Sequence, residues 1–119
     1  MKRLLLVLAA LVSLSAHGAQ IQTGNDLLRL STGNELDKVF VYGYLSGVTQ
    51  SEEFARAIGE MSKGGLAGFG FYCSPPGSDV GQAKDVVVRW LTEHPDRRHE
   101  LALVLVRTAL LEVWRCPSK

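Results

Sequence analysis

The chain has 119 residues, 46% hydrophobic and 21% charged, with a formal charge of +1 at pH 7. That is one domain of ordinary size with a modest core. The near-neutral balance leaves no basic stripe, so no nucleic-acid partner is expected.

Met1-Lys2-Arg3 precedes an apolar run from Leu4 to Leu14 in which only Ser13 is polar. Small residues follow, and Leu14-Ser15-Ala16 or Ala16-His17-Gly18 satisfies a small-residue cleavage rule. The run is shorter than the roughly 20 residues a membrane-spanning helix needs, and no lipid-accepting cysteine follows it. Residues 1–18 therefore read as a cleaved secretory signal peptide and residues 19–119 as an exported helical domain without stable membrane insertion. A retained anchor or a buried core helix is the competing reading. Loss of Lys2 and Arg3 takes the formal charge from +1 to about −1, too small to steer a charged partner.

Thr23 or Asn25 can cap a short helix holding Leu27, Leu28 and Leu30, which Ser31-Thr32-Gly33-Asn34 breaks. A longer helix begins after Asn34, with Glu35 and Asp37 favouring its positive N-terminal end. Leu36, Val39, Phe40, Gly43, Tyr44, Gly47 and Val48 recur at three- and four-residue intervals and predict one apolar or small face. Taken alone, Val39-Phe40-Val41-Tyr42 also fits a strand. A glycine inside a helix costs about 1 kcal/mol against alanine, so Gly43 and Gly47 predict close approach of another backbone. Ser51 fits the cap of a further helical piece, Glu52 to Met61.

The composition then changes. Gly64, Gly65, Gly68 and Gly70 remove regular structure while Phe69, Phe71 and Tyr72 follow closely. The spacing matches no phosphate-binding loop. The segment is either tucked under the core by Phe69 and Phe71 or protrudes as a recognition loop. Cys73-Ser74-Pro75-Pro76-Gly77-Ser78 forms a rigid turn, after which Asp79 and Gln82 make a capping-box pair. Val80, Ala83, Val87, Trp90 and Leu91 are the buried stripe of the helix that follows; Lys84, Asp85 and Arg89 face solvent. His94-Pro95 ends it, because a residue before proline avoids helical angles. The last helix, from His99 to Trp114, is apolar nearly all round, which makes it either central to the core or partly covered by a second copy in a homodimer. The fold class is all-α, a compact bundle of four to five short helices.

Two cysteines in an exported chain, Cys73 and Cys116, are most simply a disulfide. It would close a loop of about 40 residues, worth roughly 4 kcal/mol in the chain-entropy model. Two free thiols are the alternative. His94 and His99, near Glu93, Asp96 and Glu100, fit no common zinc pattern and are expected to be turn and surface residues bonding helix ends. A cysteine nucleophile would need Cys73 unpaired beside a histidine, and no serine stands in a Gly-x-Ser-x-Gly elbow. No catalytic residue, metal or cofactor is expected.

The run from Pro76 to Gln82, then Asp85 to Leu91 and Glu93 to His99, resembles the core motif of the type VI amidase immunity family, the resistance-associated (Rap/Tai) proteins. Gly43-Tyr44-Leu45-Ser46-Gly47-Val48 is similar to a second block of that family. Ala109 to Trp114 with Cys116 is similar to its closing helix and terminal cysteine. The likeness runs from about Gly24 to Cys116. Two further cysteines common in the family fall on Ser31 and Val41, as if one disulfide had been lost and Cys73–Cys116 kept. The resemblance implies an all-helical periplasmic inhibitor, often a dimer, that binds a secreted peptidoglycan cysteine amidase and blocks its active-site cleft. The segment from about Thr49 to Phe71 matches no block of the family, which makes Glu52, Glu53, Glu60, Leu66 and Phe69 the candidate partner contacts. Against this stand a periplasmic interaction module of the same fold without a toxin partner, and a small-molecule or lipid carrier.

Overall fold

The computed structural model describes residues 20–61 and 71–118. They hold four helices in the order α1 (Gly24–Ser31), α2 (Glu35–Met61), α3 (Val80–Glu93) and α4 (Ala102–Val113). Helix α3 packs on α4, α2 on α1 and α3, and α1 on α3 and α4. The core these faces close is built from Leu27, Leu45, Leu91, Leu105 and Leu110 with Val41, Val87 and Val106, all fully buried. The expected signal peptide and the glycine-rich stretch around Leu66 and Phe69 lie outside the described residues.

The helix starts follow local chemistry. Thr23, not Asn25, caps α1: its hydroxyl accepts from the Asp26 amide, and the Asp26 carboxylate accepts in return from the Thr23 amide at 3.0 Å. These bonds, led by those from Thr23, hold the Asp26 carboxyl below the usual aspartate range. Asp79 and Gln82 form the same reciprocal pair at the start of α3, with bonds of 2.8 and 3.0 Å. Helix α4 starts three residues later than His99, because Leu101 is extended and bridges Thr23. The Gln22 carbonyl takes the Ala102 amide at 2.8 Å, so the entrance of α1 is sewn to the turn between α3 and α4.

Three expectations are corrected. Ser51 caps nothing: its hydroxyl donates to the Val48 carbonyl at 2.8 Å, one turn back, and α2 runs through it as one helix of 27 residues. The apolar face of α2 is the expected one only in part. Val48 enters the core and Tyr44 packs against it, but Leu36 and Val39 are 77% and 66% exposed and Phe40 also faces outward, and Val41 and Leu45 take the core positions instead. Gly43 and Gly47 lie on the exposed side, and a Cβ at either would meet nothing within 4 Å. The close approach occurs at Gly24 instead, where a Cβ would fall 2.6 Å from Leu105 and 2.9 Å from Leu91. Ser31 and Val41, the positions on which the resemblance places two further cysteines, are both buried, and the Ser31 hydroxyl is satisfied by the Leu27 carbonyl at 2.7 Å.

Candidate functional site

The disulfide fixes one end of the bundle. Cys73 and Cys116 are joined with Cα atoms 4.8 Å apart across a sequence separation of 43. The residues beside it pair as well: the Cys73 amide donates to the Trp114 carbonyl at 2.8 Å and Tyr72 bridges Arg115 antiparallel. The segment entering α3 is thus pinned to the exit of α4. Between the disulfide and α3 the chain reverses in a Pro75–Ser78 turn, closed by the Ser78 amide on the Pro75 carbonyl at 3.0 Å. Gly77 takes the left-handed angle this turn needs at its third position, φ +78°.

A cleft of about 320 Å³ opens between this pinned segment and the second half of α2, with Glu52, Glu53 and Arg56 on one wall and Tyr72, Ser74 and Pro75 among those on the other. Glu52 is no surface charge. It continues the buried stripe of α2, four residues beyond Val48, and its side chain is only 11% exposed. A carboxylate at a core position needs a counter-charge, and Arg107 of α4, 22% exposed, supplies it by donating from Nε to Glu52 Oε1. The second carboxylate oxygen, Oε2, is buried without a hydrogen-bond partner, and so is the hydroxyl of Tyr72. Burial first, then the charges of Glu52 and Glu53, push the Tyr72 phenol up to about 12, with Arg107 opposing. The hydroxyl therefore keeps its proton, in a field that the carboxylates dominate.

The candidate contacts fare differently. Glu53 is exposed at the cleft, Glu52 is drawn inward, and Glu60 stands in the last turn of α2. Leu66 and Phe69 fall outside the described residues. Tyr72 and Arg107 were missed, although one signal was available: Glu52 keeps the three- and four-residue spacing of Val41, Leu45 and Val48 and so had to be either buried or the end of the stripe. His94 is not a simple surface residue. It stacks on Trp90 at 4.0 Å between ring centroids, and its Nδ1 lies 2.7 Å from the Trp90 carbonyl. Trp90 in turn donates from Nε1 to Glu112 at 2.7 Å. Among the described residues no three His, Cys, Asp or Glu side chains are grouped to hold a metal ion.

The Rap1a immunity protein model matches residues 23–116, from the cap of α1 to the second cysteine of the disulfide. The chain belongs to the Rap1a immunity protein family. The matched stretch contains all four helices, both cysteines and the cleft, so the immunity fold and the disulfide-closed bundle are the same object. No curated protein and no solved structure matches the chain. None of the helices of this immunity protein is long and apolar enough to cross a membrane, among the described residues.

Proposed function

We propose that the protein is a periplasmic inhibitor, without catalysis of its own, that protects its cell by binding a type VI-secreted peptidoglycan cysteine amidase and occluding the active-site cleft of that enzyme. Membership of the Rap1a immunity family over residues 23–116 carries the reading. The physical support is rigidity. A bundle with two reciprocal helix caps and a disulfide that ties the α3 entrance to the α4 exit presents its surfaces with little left to order on binding. Export through the signal peptide of residues 1–18 places it where the disulfide forms and where peptidoglycan is cut. The contact surface is proposed to include Glu53 and to extend along α2 through Glu60 to Leu66 and Phe69.

A homodimer is part of the proposal. Leu103, Val104 and Val113 of α4, with Leu101 just before it, are all exposed, and apolar side chains left exposed on one short helix favour cover by another subunit.

The deciding experiment is co-expression with any small cysteine amidase found encoded beside this gene, directed to the periplasm. Survival that depends on this protein is the expected outcome. Continued lysis at equal expression refutes the pairing, and an isolated gene with no neutralising activity favours the interaction module without a toxin.

A further inference from the structure

Two orphaned polar atoms belong to residues that line one cleft. Glu52 Oε2 and the Tyr72 hydroxyl are both buried without partners, Tyr72 is 9% exposed, and both residues line the 320 Å³ space between α2 and the pinned segment. Leaving such groups unmatched is unfavourable, so a ligand that satisfies both gains what the free protein lacks. The missing group has a definite chemistry. A carboxylate oxygen can only accept, and a phenol that keeps its proton also offers lone pairs. A second carboxylate, Glu53, lines the same cleft, and at the Tyr72 hydroxyl the charges of Glu52 and Glu53 outweigh that of Arg107. Arg107 donates to the other oxygen, Oε1, and Oε2 is left without a hydrogen bond. Several N–H donors in one plane with a positive charge describe a guanidinium.

We propose that this cleft is a socket for an arginine side chain of the effector, donating to Glu52 Oε2 and the Tyr72 hydroxyl with Glu53 as the outer counter-charge. The site rests on the immunity reading only for the protein that supplies the arginine. Arg56 stands on the same wall and its charge opposes any cation that enters, so at most one arginine per socket is expected.

The test is an NMR titration of the exported, disulfide-intact protein with N-acetyl-arginine amide, and with N-acetyl-citrulline amide as the uncharged isostere. Saturable shifts at Glu53, Tyr72 and Ser74 with the arginine derivative are expected, and binding roughly tenfold weaker with the citrulline derivative, as for one lost charge-assisted bond. Tyr72→Phe removes the hydroxyl while keeping the ring, and because that hydroxyl has no protein partner the fold is retained. It weakens arginine binding without lowering the melting temperature, and Glu53→Gln weakens it at an exposed position. Equal affinity for the two derivatives, absence of saturable shifts, or indifference to both substitutions overturns the socket. If the probe binds but co-expression gives no protection, the immunity pairing fails and the socket stands; protection without probe binding has the opposite meaning.

Discussion

The two halves of α2 are built on one periodicity and end in different environments. In the first half, Val41, Leu45 and Val48 drop into the core between α1 and α3. In the second, the next position of the same stripe is Glu52, and Phe54 and Ile58 stand outside, Phe54 68% exposed. The first half is held by area removed from water, which needs no particular partner. The second half is held at Glu52 by one charged pair, which needs a specific one. A stripe that changes from apolar to ionic along one helix marks where core packing ends, and the cleft opens there.

The largest expected effect tests the support that both halves share. Replacing Cys73 and Cys116 together with serine is expected to cost up to about 4 kcal/mol, from the loop-entropy model. Equilibrium urea unfolding with and without reductant measures it, and the reduced protein and the double variant are expected to coincide. Next, Leu45→Ala in the first half is expected to cost about 3 kcal/mol, whereas Phe54→Ala in the second changes stability by less than about 0.5 kcal/mol. Equal losses at the two positions would break the comparison.

The ionic end is expected to respond asymmetrically. Arg107→Met strands the Glu52 carboxylate and costs about 2 kcal/mol, less than a fully buried pair because both side chains keep some access to water. Adding Glu52→Gln to Arg107→Met is expected to recover part of that loss, which a double-mutant cycle reads directly. The smallest effect has the opposite sign. Gly47→Ala on the exposed side of α2 is expected to raise stability by up to about 1 kcal/mol, since the new methyl meets nothing and the unfolded chain loses freedom. A loss at that position would show that the glycine face is covered, as a dimer through α2 requires.

Much of the bundle was legible because its signals are local. Asp79 and Gln82 are three residues apart and cap α3 wherever it packs, and the stripe Ala83, Val87, Trp90 and Leu91 is buried as its spacing predicts. The disulfide was legible from cysteine number and an N-terminal run that reads as an export signal. The site was legible only in outline: Glu53 lies on the cleft, but Tyr72 and Arg107 come to Glu52 from other parts of the chain, Arg107 from 55 residues away, and no local pattern joins them.

By itself, the sequence determined α1, α3 and the capping pair of α3, the paired cysteines and the family, because each is set by residues within a few turns or by a motif in order along the chain. Only the tertiary structure decided which side of α2 is inside. Leu36, Val39 and Phe40 are as apolar as Val41, Leu45 and Val48, so periodicity offered two faces. The choice went to the one that α1 and α3 could cover. That same choice turned Glu52 inward, matched it with Arg107 and left the cleft beside Tyr72.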